Sequence, residues 1–71
     1  MPRLTKRSIN LSGHATSLAL EPEFWAVLDR MTAGAGLSAL IAAIDSERGE
    51  RPLASACRVA ALRWALDQHC S

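Results

Sequence analysis

Apolar residues alternate with polar ones at the front of this chain and recur every three or four positions behind it, so the pattern passes from a strand period to a helix period near residue 21. From Arg7 to Leu11, Ile9 and Leu11 alternate with Ser8 and Asn10. Ser12-Gly13-His14 reads as a turn. A second alternating run sets Thr16, Leu18 and Leu20 on one face and Ser17 and Ala19 on the other, with the leucine face expected inside. Pro22 suits a first helical turn, and Glu21 and Glu23 place negative charge at the positive end of the helix dipole. Phe24, Val27, Leu28 and Met31 then follow i, i+3, i+4, i+7, which predicts a first helix ending near Ala33. Gly34-Ala35-Gly36 interrupts it. Leu37, Leu40, Ile41 and Ile44 predict a second helix from about Leu37, with Gly36 at the N-cap and a stop by Gly49. A third helix runs from about Leu53 to Gln68. Its apolar residues form two arcs, Leu53, Cys57, Ala60, Ala61 and Trp64 on one and Val59, Leu62 and Leu66 on the other, so it is expected to be buried from more than one direction.

The strand pattern poses a pairing problem. With one principal strand, Thr16 to Leu20, the economical solution is a twofold dimer in which that strand pairs antiparallel with its own copy and the helices cover one face of the ribbon. A chain of 71 residues with 49% hydrophobic content has more apolar surface than a small monomer readily buries, which points the same way, to a homodimer or a tetramer. The earlier alternating run stays open. It either folds back through Gly13 as an extra strand, or it remains a mobile arm; on this reading residues 1–13 are a basic N-terminal segment and residues 14–71 the domain proper. If it folds back and pairs with the edge of the ribbon, the dimer carries four strands, and with Ile9 and Leu11 inward Lys6, Ser8 and Asn10 point outward.

Net charge is only +1, but its distribution is uneven: residues 1–20 hold Arg3, Lys6 and Arg7 with no acid, while residues 21–71 hold five bases and seven acids. A basic strand end, doubled in a dimer, is a candidate phosphate-contact surface. Candidate chemistry elsewhere is thin. Cys57 and Cys70 would stand about 20 Å apart along a helix, too far for a disulfide. His14, Cys57, His69 and Cys70 match no metal-ligand spacing, so neither metal nor cofactor is expected. No nucleophile with a base, phosphate loop or carboxylate pair appears, and the chain does not read as an enzyme. The first twenty residues lack the apolar core of a secretory signal and no run is long enough to span a bilayer, so a cytoplasmic protein with reduced thiols is expected.

The stretches "KRSINLSGHATSLALEPEFW", "LSALIAAIDSERG" and "LASACRVAALR" resemble the ribbon-helix-helix proteins of the Arc, MetJ and CopG superfamily, in a bacterial branch with an additional C-terminal helix, over roughly residues 6–66. The resemblance implies a mainly α fold with one short β-ribbon, assembled as an intertwined homodimer that inserts the ribbon into the major groove of double-stranded DNA, usually as a transcriptional regulator such as a repressor. By position it makes Ala15, Ser17 and Ala19 the outward strand residues that meet base edges, with Arg3, Lys6 and Arg7 contributing from the basic segment. The backbone N–H groups of Leu37 and Ser38 behind Gly36 become a phosphate clamp, since a helix N-terminus offers free donors and a favourable dipole. The expected dimer core comprises Leu18, Leu20, Phe24, Trp25, Leu28, Leu40, Ile41, Ile44 and Trp64. Two features depart from the family's pattern: Ala15 and Ala19 cannot hydrogen-bond a base, and Gly36 stands where a Ser or Thr cap is usual. They leave open a different role, a dimerisation or adaptor module that has lost DNA readout and docks a protein partner through the third helix and Trp64.

Overall fold

A computed structural model describes residues 3–11, 13–32 and 34–69, the last of these by its backbone alone. Two strands, β1 (Thr5–Leu11) and β2 (His14–Leu20), are followed by three helices, α1 (Pro22–Met31), α2 (Leu37–Glu47) and α3 (Leu53–His69). The element types and order agree with the sequence pattern, and α2 begins at Leu37 behind Gly36. Ala33, where the first helix was expected to end, and Cys70 lie outside the described residues.

The pairing problem is solved within the chain. β1 pairs antiparallel with β2 over seven residue pairs from Thr5↔Leu20 to Leu11↔His14. Segment 5–11 is thus a strand, and β2 takes β1 as its neighbour on one edge. The reason is local. The connection between Leu11 and His14 has only two residues, and Gly13 takes φ 84°, the left-handed region that tight hairpins demand. Closing so short a loop costs far less entropy than recruiting a second chain. Within the described residues β2 has no strand on its other edge.

One face of the hairpin lies on the helices. Ile9, Leu18 and Leu20 join Trp25 and Leu28 of α1, Ile41 of α2, and Cys57 and Ala61 of α3 in one buried cluster. Leu11, Phe24, Val27, Met31, Leu37, Leu40 and Ile44 pack around it half-buried. Among the described residues no polar or charged side chain is buried. Along α3 every residue from Leu53 to Ala61 is buried or half-buried, so its first half is covered all round, whereas Leu62 and Leu66 in its second half are each 55% exposed. Burial from more than one direction, expected from the two arcs, holds for that first half, where α1, α2 and β2 all pack against the helix.

Candidate nucleic-acid interface

The strand period divides the hairpin into two chemically distinct faces. Outward, the cross-strand pairs are Lys6 with Ala19, Ser8 with Ser17, and Asn10 with Ala15. Lys6, Ser8, Asn10, Ala15 and Ser17 are exposed and Ala19 half-buried. The expected readers Ala15, Ser17 and Ala19 therefore share one surface with Lys6, Ser8 and Asn10, and that surface holds no acid. Ser8 and Asn10 enter as functional candidates only through the hairpin; their sequence signal was the alternation of residues 7–11 with the Ser12-Gly13 turn.

Arg7 goes elsewhere. One residue from Lys6, it points to the helix side, where its guanidinium donates to both carboxylate oxygens of Asp29 at 3.0 and 3.2 Å and lies 4.5 Å from the centre of the Trp25 ring. Trp25, expected at a dimer contact, is 2% exposed in the chain's own core, and its indole N–H donates to the carbonyl of Thr5 at 2.7 Å. Arg7 and Trp25 thus fasten β1 to α1. The alternation that sends Lys6 outward already sends Arg7 inward with Ile9. Arg3 is exposed before the first strand.

Most arginines of the helical body are also engaged. Arg58 reaches Glu21 at 2.9 Å and lies 5.9 Å from the Phe24 ring, tying α3 to the start of α1. Its hydrogen bond is the main cause holding the Glu21 carboxyl below the usual range, with help from the backbone N–H of Glu21. Arg48 pairs with Asp45 at 2.6 Å, and Arg30 sits 5.9 Å from the centre of the half-buried Trp64 ring. By contrast, Arg3 and Lys6 have no acidic partner among the described residues.

At the start of α2, Gly36 takes φ 95° and ψ 145° with no side-chain cap, so the first N–H groups, those of Leu37 and Ser38, are left without a capping oxygen. Leu37 is half-buried and Ser38 exposed. Among the remaining residues expected in a dimer core, Leu18, Leu20, Leu28 and Ile41 are buried within the single chain, and Phe24, Leu40, Ile44 and Trp64 keep part of their surface. The described residues contain no group of three or more His, Cys, Asp or Glu that could hold a metal ion, and no helix long and apolar enough to cross a membrane.

No curated protein and no solved structure matches this chain. A family model described as a ribbon-helix-helix domain matches residues 4–65, from just before β1 to near the end of α3. Hairpin, α1, α2 and most of α3 fall inside that match, and the chain belongs to the ribbon-helix-helix family.

Proposed function

We propose that this protein is a homodimeric DNA-binding transcriptional regulator that lays the outer face of its hairpin in the major groove. The family's fold is that of DNA-binding regulators, typically dimeric and not enzymatic. The observation that carries the reading is the shared, acid-free outer face of Lys6, Ser8, Asn10 and Ser17 on a two-stranded ribbon. Two strands about 4.8 Å apart suit a groove about 12 Å wide.

The side chains match what that groove displays. Lysine donates to guanine O6 and N7, asparagine bonds adenine through N6 and N7, serine serves either base, and alanine can lie against a thymine methyl. On this reading Ala15 and Ala19 supply methyl contacts beside the polar row. Arg3 and the N–H groups of Leu37 and Ser38 contact phosphates, which position the ribbon without reading sequence. A second copy supplies the second half-site, each hairpin in its own stretch of groove.

The test is an NMR titration of labelled protein with a mixed-sequence duplex at low and moderate salt. Expected are shifts at Lys6, Ser8, Asn10, Ala15, Ser17 and Ala19 and at the start of α2, shrinking as salt rises, because released counterions drive the binding. Shifts confined to α3, or none at low salt, would overturn the proposal.

A further inference from the structure

The helical body has a second feature that DNA contact leaves unused. Where the end of α2, residues 48–52 and the middle of α3 meet, they bound an open cleft of about 270 Å³. Its apolar lining is Ile44, Ala56, Val59 and Ala60, and its polar lining is Arg48, Arg51, Arg63 and the single acid Glu47. The three arginines come from the end of one helix, the connection and the next helix, so only the fold brings them together.

They are not equivalent. Arg48 is braced: its Nε donates to Asp45 at 2.6 Å and its terminal nitrogen to the carbonyl of Arg51 at 2.8 Å, which pins the connection against α2. Arg51 and Arg63 have no carboxylate partner among the described residues. Two uncommitted guanidiniums thus stand over an aliphatic floor. A guanidinium is a five-donor fork that matches a carboxylate in two-point contact.

We propose that this cleft binds a small organic anion with a carboxylate head and a hydrocarbon body. Coulomb attraction alone is a poor basis for the site, because Glu47 and Asp45 offset part of the arginine charge and the cleft is open to water. Recognition therefore rests on directed two-point hydrogen bonds from Arg51 and Arg63 to the head, while the small aliphatic patch of Ile44, Ala56, Val59 and Ala60 takes the first methylenes of the body. The volume of about 270 Å³ lies just under the ~300 Å³ lower bound for drug-sized sites and suits a short-chain acid. The inference does not depend on the hairpin's role in DNA binding.

Butanoate, hexanoate and octanoate, with octanol and inorganic phosphate as controls, would be titrated into methyl-labelled full-length protein. Expected are saturable shifts at Ile44 and Val59 that tighten about two- to fourfold from butanoate to hexanoate and little further with octanoate, because the aliphatic patch is short. R51Q and R63Q should each weaken octanoate about tenfold and leave octanol unchanged. Both positions are exposed, and unchanged circular dichroism would show that the variants fold. Three results would overturn the proposal: no shift with millimolar octanoate, phosphate acting on the same residues as strongly as octanoate, or octanol binding as tightly as octanoate.

Discussion

The two faces of the hairpin share the same fourteen residues, yet they are built for opposite purposes. Inward, Ile9, Leu18 and Leu20 are 3%, 4% and 0% exposed, and the charge present, Arg7, is neutralised by Asp29 and laid on Trp25. Outward, Lys6, Ser8, Asn10 and Ser17 touch no acid and support no core. Because a strand has a side-chain period of two, a single-residue step moves a group from structure to surface chemistry. Lys6 and Arg7 show this most sharply: adjacent cations, one free to meet a ligand and one spent on the fold.

The comparison breaks most visibly with paired substitutions across the hairpin. Leu20→Ala removes a fully buried side chain and is expected to cost about 2–5 kcal/mol, comparable to the ~3–5 kcal/mol that a core this small supplies, so the domain should be largely unfolded. Ser17→Ala, three residues earlier on the outer face, should shift stability by about 0.5 kcal/mol or less. Urea denaturation of both proteins measures the contrast. Similar losses in the two would mean that the outer face is also covered, as in an assembly that buries it.

A finer separation concerns the adjacent bases. Arg7→Ala loses the Asp29 pair and the Trp25 contact. With side chains 38% and 49% exposed, the ion pair is strongly screened, so a stability loss of about 1 kcal/mol is expected, most of it from the stacking. Its effect on DNA should follow only from that loss. Lys6→Ala should leave the denaturation midpoint unchanged but relax the preference among duplexes and lower the slope of log affinity against log salt by about one, as loss of one cation from the DNA-facing surface does. Should Arg7→Ala reduce that slope in a fully folded sample, Arg7 leaves Asp29 on binding and the two faces are not independent.

Sequence periodicity carried the helices well, because each apolar stripe ends at a residue with a clear backbone role: Pro22 at a first turn, Gly36 at φ 95°, Gly49 at φ 61°. The hairpin was legible only in part. Alternation located both strands, but whether β2 meets β1 or a copy of itself is a question of tertiary free energy that spacing does not answer. Trp25 shows the same limit. Off the main stripe of α1, it looks free for a partner chain until β1 arrives above it with Arg7 and the carbonyl of Thr5. The arginine-lined cleft could not be foreseen either, since Arg48 and Arg51 alternate with Glu47 and Glu50 and read as self-neutralising surface. Folding assigns Asp45 to Arg48 and brings Arg63 across from α3, leaving Arg51 and Arg63 uncommitted.

The last effect is confined to alkaline solution and reports how dry the inner side is. Cys57 is fully buried where α3 meets the hairpin's core, and burial pushes its thiol up from an ordinary 9.0 to about 11, the nearby Arg58 offsetting only part of that cost. In the unfolded chain the same thiol ionises near 9. Between pH 9 and about 11 the unfolded state therefore releases a proton that the folded state retains, and stability should fall as pH rises through that window while staying flat in this respect below pH 8. Comparing denaturation midpoints of the protein and its Cys57→Ala variant at pH 8, 9.5 and 10.5 isolates this contribution from every pH effect common to both. The wild type should lose more stability than the variant, and its thiol should react with an aromatic disulfide reagent only as fast as the chain unfolds. Parallel pH profiles and rapid labelling at pH 8 would mean that water reaches Cys57, so the side of the hairpin facing the helices is wetter than its buried leucines imply.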